Sequence, residues 1–199
     1  LAYSWRRFQI MVGDDYGVRW LPTYTTNSDI PDPADPLDRY HPAGRRLTRA
    51  EHPFAFDGLS RFDTLYVETG RYLRQLLRDV QTAGGKVEVR RFSTPAELQG
   101  LPERLVFNCT GLGARELFGD QTLRPARGQL VVLLPQLEVR YAYTVRAGYM
   151  FPRADGVLLG GTFELDDWSP EPDPRTAERI IRSHRALFDG FRCGTAPGA

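Results

Sequence analysis

Residues 67–92 read VETGRYLRQLLRDVQTAGGKVEVRRF, and this stretch limits the possible folds more than any other. Leu73, Leu76, Leu77 and Val80 recur at the spacing of one helical face. Thr69 in front of them suits an N-cap, and Gly84 and Gly85 close the helix. Then the period changes. Val87 and Val89 alternate with charged neighbours through KVEVRRF, as a strand does. Leu65 and Val67 predict a short strand before the helix. After the connection STPAELQGLPER, residues 105–107 form a continuous apolar run. Such a run fits a strand buried on both faces of a parallel sheet. Strands alternating with a helix in this way are α/β organisation.

The pattern changes again after residue 119. GQLVVLLP, RYAYTV, GYMFPR and GVLLGGTFEL are four closely spaced strand-like runs, with RADG as a hairpin turn between the last two. They predict antiparallel sheet. DPRTAERIIRSHRALFDG then predicts a helix capped by Asp173, with Pro174 in its first turn and Ile180, Ile181, His184 and Leu187 on one face. On the N-terminal side, a helix is expected before Gly13 and a strand through Val18 and Trp20 as far as Pro22. Residues 27–50, with PDPADP at their centre, predict an exposed loop. The fold class is therefore mixed α/β and α+β. The expected division is 1–59 with the exposed loop, 60–118 as a strand–helix–strand–strand unit, and 119–199 as antiparallel sheet.

Composition excludes several function classes. Of 199 residues, 41% are hydrophobic and 26% charged, and the net charge of +1 provides no broad basic face for nucleic acid. Arginine dominates the cations, Lys86 being the sole lysine, as expected of biased base composition in the coding DNA. No apolar run reaches the roughly 18 residues that span a membrane, and the start LAYSWRRFQI has no signal-peptide core. Cys109 and Cys193 stand far apart, and His41, His52 and His184 are scattered, so no metal site is expected. A reducing, cytoplasmic setting fits. Leu1 stands where a start would have Met, so a piece of a longer protein or a processed product is expected.

The apolar run at 105–107 stops at NCTGLGA and enters a helix. Small residues at the carboxyl end of a strand expose backbone N–H groups, which suit an anion or phosphate. Gly111 and Gly113 allow close approach, and Thr110 offers a hydroxyl. Two glycines in such a turn also serve merely to turn the chain. The dinucleotide fingerprint is not met, because Glu116 stands where a third glycine belongs, and G-x-G-x-x-G occurs nowhere else.

VFNCTGLGARELFGDQTLRPARGQLVVL and GYMFPRADGVLLGGTFELDDWS together resemble the flavin-dependent D-amino-acid oxidase family, and the stretch at 67–92 resembles the family's preceding strand–helix–strand. The resemblance covers roughly residues 60–188. It implies an FAD-binding sheet unit joined to an antiparallel substrate sheet. It also implies oxidation of a D-amino acid to an imino acid, with molecular oxygen as acceptor and peroxide as product. On this resemblance Cys109, Thr110, Gly111 and Gly113 lie against FAD, and Phe92 contacts its adenine side through its backbone. Tyr149 holds the substrate carboxylate, and Tyr143 or Tyr141 supplies a second aromatic. No side-chain nucleophile is needed, since the cofactor carries the hard chemistry.

Two departures stand out. The family's opening G-x-G-x-x-G unit and its later carboxylate-binding arginine have no counterpart in this chain. The resemblance therefore implies a fragment of the enzyme. Related oxidases of glycine, sarcosine or D-aspartate, and a non-catalytic interaction module, are the alternatives. A homodimer is compatible with all of them.

Overall fold

In the computed structural model, residues 1–26 and 36–191 are described. In chain order they form α1 (Ala2–Ile10), β1 (Val18–Thr25), β2 (Arg45–Leu47), β3 (Leu59–Val67), α2 (Thr69–Thr82), α3 (Pro95–Gln99), α4 (Gly113–Phe118), β4 (Ala126–Arg127), β5 (Val131–Leu133), β6 (Ala142–Val145), β7 (Gly148–Arg153), β8 (Gly156–Gly160), β9 (Glu164–Leu165) and α5 (Pro174–Asp189). Seven strands make one sheet in the order β2-β3-β1-β6-β7-β8-β5, while β4 and β9 pair separately. Only β1 and β6 run parallel; the other neighbours in the large sheet are antiparallel.

Register sorts the side chains into two faces, because successive residues of a strand point to opposite sides. Leu59, Tyr143, Val145, Met150, Val157 and Leu159 share one face and form a buried cluster with Leu47, Phe54 and Ile180. Helix α5 covers this face, with Ile180 and His184 buried beneath it. Its start is well specified. Asp173 accepts hydrogen bonds from the Arg175 and Thr176 amides, both at 3.1 Å. The Gln129 side chain holds the cap in turn, donating to the Asp173 carbonyl and accepting from its amide, both at 2.8 Å.

Several expectations change. β1 continues past Pro22 to Thr25, because β6 pairs with it only from Thr23 onward. At Pro22 the strand has one hydrogen-bonded neighbour, where a missing N–H is tolerated. Residues 36–50, expected to be loop, contain β2, which covers the edge of β3 and buries Leu47. The remainder of that expected loop, residues 27–35, lies outside the described residues. Glu68 rather than Thr69 occupies the N-cap position of α2, without a side-chain capping hydrogen bond. β3, assigned by the sequence division to the 60–118 unit, is hydrogen-bonded to β1 in the large sheet.

The largest correction concerns the expected FAD-binding sheet unit. The strands expected at 86–92 and 105–107 do not form. Val89 and Phe107 are exposed, and no described segment pairs with either run. Helix α2 does form, but Leu73, Leu77 and Val80 on its apolar stripe remain exposed. A helix closes its hydrogen bonds within itself, whereas a strand needs a neighbour. Hydrogen–deuterium exchange should therefore separate these regions. Amides of β7 and β8 are expected to exchange at least roughly a thousandfold more slowly than those of residues 86–92. Equal protection would show that the latter run is paired.

Candidate functional site

Tyr149 lies on the sheet face opposite α5. In the ladder it stands between Thr144 of β6 and Gly160 of β8. Its ring rests across Gly160, where even a Cβ would collide with the ring carbons. Phe151 and Tyr66 extend the row of rings, with centroid separations of 5.2 Å from Tyr149 to Phe151 and 5.1 Å from Phe151 to Tyr66. Burial pushes the Tyr66 hydroxyl up to about 12, so it stays protonated at neutral pH. Tyr149 is half-buried, and its hydroxyl makes no hydrogen bond among the described residues.

Charges close one end of this face. Glu68 accepts from the Ala154 amide at 3.1 Å and lies 3.1 Å from Arg19, which also donates to the Pro152 carbonyl. Arg153 pairs with Asp155 through two bonds of 2.8 and 2.9 Å. Arg153 therefore serves the β7–β8 turn.

The turn at 108–113 forms a second locus. Gly111 adopts a φ of 56° and faces open space. The Asn108 side chain folds back on Thr110, accepting its hydroxyl at 2.7 Å and its amide at 3.2 Å. The Gly113, Ala114 and Arg115 amides are used in the first turn of α4. The amides of Cys109, Gly111 and Leu112 have no partner among the described residues. A cleft of about 350 Å³ beside the turn is lined by Arg90, Arg91, Phe92, Thr110, Gly113 and Glu116, among others. Phe92, Thr110 and Gly113 thus share one cleft, while Cys109 and Gly111 are exposed outside its lining. No residue of the sheet lines it. The residues fit one wall of FAD: free amides, a bare glycine bend, an aromatic ring and two arginines.

Tyr143 and Tyr141 do not join Tyr149. Tyr143 is fully buried on the α5 face, and its hydroxyl lies 2.6 Å from His184 Nδ1. As the sheet stands, it is unavailable to a substrate on the other face. The reason is the period of two: 143 pairs with Met150, whereas Tyr149 pairs with 144. Tyr141 is also on the α5 side, lining an apolar cleft with Val139, Met150 and Phe188.

Only the fold reveals the staple that ties the 108–118 segment to the β4–β9 pair. Arg115 donates to the Gln121 and Leu123 carbonyls at 2.9 and 2.8 Å. Arg124 pairs with Asp166, and Arg127 pairs with Asp167 at 2.6 Å and Glu164 at 3.3 Å. The runs RPARGQ and FELDDW are rich in opposite charges, and that complementarity was the available signal.

Known proteins resemble the chain over most of its length. The family model of the FAD dependent oxidoreductases, DAO, matches residues 4–197. The chain is 40% identical over 166 residues to a D-amino-acid oxidase of Rubrobacter xylanophilus, covering 80% of this chain and 50% of that protein. It is 41% identical over 138 residues to a D-amino-acid oxidase of Streptomyces coelicolor, covering 61% and 42%. To human D-aspartate oxidase it is 35% identical over 131 residues, covering 63% and 37%. The chain spans about half the length of the curated relatives it matches.

The buried histidines give this region a pH dependence. Burial lowers the affinity of His184 and of His52 for a proton below the ordinary imidazole value. The unfolded chain takes up those protons first, so stability is full above roughly pH 6.5 and declines as pH falls below it. Replacing His184 by Gln should shrink the loss between about pH 7.5 and 5.5 in urea denaturation. An unchanged loss would assign the titration to other groups.

Proposed function

Because the chain belongs to the DAO family of FAD-dependent oxidoreductases, we propose that it contributes to an oxidase that converts D-amino acids to imino acids with release of peroxide. FAD, when bound, supplies the hydride acceptor and passes the electrons to oxygen. The residues of this chain bind and orient. The Cys109, Gly111 and Leu112 amides and the Phe92 backbone present a polar edge to the cofactor, and Gly111 and Gly113 permit its close approach. Arg90 and Arg91 add positive charge at the cleft that Phe92, Thr110 and Gly113 line. A pyrophosphate cradle of the G-x-G-x-x-G type is absent from this sequence, so these residues make up a wall of the cofactor site rather than the whole.

One observation carries the substrate reading. Tyr149 holds a hydroxyl with no hydrogen-bond partner among the described residues, on a sheet face separate from the core, in a place kept clear by a glycine. Such a hydroxyl donates well to a carboxylate. It fixes one end of an amino acid, so that the Cα is presented in one orientation. The row Tyr149–Phe151–Tyr66 offers an apolar floor and keeps water off that side.

D-Amino acids are the substrates of this reading, since the relatives at 40% and 41% identity are named D-amino-acid oxidases and those at 35% and 33% D-aspartate oxidases. The test is peroxide release from a panel of D-amino acids that includes D-alanine and D-aspartate, with the L-forms as controls. Tyr149→Phe should raise the D-alanine KM roughly tenfold with kcat little changed, the loss expected of one hydrogen bond to a charged group. An unchanged KM removes Tyr149 from the substrate site.

A further inference from the structure

The sheet is stripped of side chains at two neighbouring points, Gly148 and Gly160. Gly148 has a φ of 137°, and a Cβ there would sit 2.8 Å from His184 Nε2. Gly160 is the ladder partner of Tyr149. His184 approaches from α5 on one side of this bare patch, and the Tyr149 ring lies on the other. The imidazole Nε2 is 3.1 Å from the Gly160 carbonyl oxygen. A carbonyl only accepts, so Nε2 carries the proton and Nδ1 is left as the acceptor. Tyr143 Oη therefore donates to Nδ1 across 2.6 Å. Tyr143, His184 and the Gly160 carbonyl form one directed chain of hydrogen bonds. Tyr143 is fully buried and His184 only 2% exposed, so water does not compete for them.

We propose that Gly160 and His184 are positioning residues for the Tyr149 phenol, acting from within the sheet and from behind it. Gly160 leaves the space that the ring occupies. His184 pins the Gly160 carbonyl and packs against Gly148, so both the residue before Tyr149 and the residue across from it are held by one side chain. Neither touches a substrate on the Tyr149 face. Their effect reaches the substrate only through the angle and depth of the phenol, and this consequence rests on the reading that Tyr149 holds a carboxylate. Tyr143, expected to face the substrate, is instead the far end of the support.

The test separates the support from the chemistry. The full chain is labelled with ring-13C tyrosine, and the Tyr149 signal is identified by its loss in Tyr149→Phe. Gly160→Ala removes no polar group, yet its methyl needs the space of the ring, so the Tyr149 signal should shift. His184→Leu should shift it as well, and His184→Gln, whose amide can still donate to the Gly160 carbonyl, should return it close to the original position. A Tyr149 signal unmoved by Gly160→Ala overturns the proposal. If His184→Leu fails to fold, Gly160→Ala and His184→Gln decide it. In the flavin-loaded protein, the D-alanine KM of Gly160→Ala should rise roughly tenfold with kcat nearly unchanged. A shifted signal with an unchanged KM supports the positioning and overturns the substrate role of Tyr149 instead.

Discussion

A strand's backbone cannot satisfy itself, and that constraint organises this protein. β7 and β8 pair along their length, gain β6 and β5 as neighbours, and bury their shared face under α5. Arg45, Arg46 and Leu47 join the edge of β3 despite a setting rich in proline and aspartate, because that edge was open to pairing. The valines of KVEVRRF and the apolar run at 105–107 have strand composition, and among the described residues they find no strand to pair with. Burial completes the division. Leu59 and Leu159, inside the sheet, are buried, whereas Val89 and Phe107 face solvent.

The same sheet separates structural from chemical work by its two faces. Tyr143 and Tyr149 are six residues apart and differ by a single pleat. One phenol is spent on His184 in a dry interior. The other lies across a glycine with its hydroxyl free among the described residues. The turn at 108–113 reaches the sheet through the segment from Arg115 to Gln129. There, charge pairs between the RPARGQ and FELDDW runs hold β4 to β9. Exposed pairs of this kind contribute little singly. Arg127, with two carboxylates and the Glu171 carbonyl around it, is the best anchored of them.

Much of the antiparallel sheet was legible in the residues. The RADG turn, the alternation in GYMFPR and the Asp173 cap each act over a few positions, where local rules decide. Of the residues that the resemblance assigns to the cofactor, Phe92, Thr110 and Gly113 line one cleft, and Cys109 and Gly111 lie outside it. Tyr143 and Tyr149 look equivalent in the sequence until register assigns them to opposite faces. His184 read as one more scattered histidine, since its partners are a tyrosine 41 residues away and a carbonyl 24 residues away.

By itself, then, the chain determined its short-range elements: where helices start, where hairpins turn, which runs are apolar enough to be strands, and where glycine leaves the backbone bare. Only the tertiary structure decided which of those runs became strands, which tyrosine was buried and which was left with an open hydroxyl. The reason is physical. A helix or a cap is completed by neighbours along the chain, but a ladder, a buried face and a hydrogen-bonded histidine are completed by residues that only folding brings alongside.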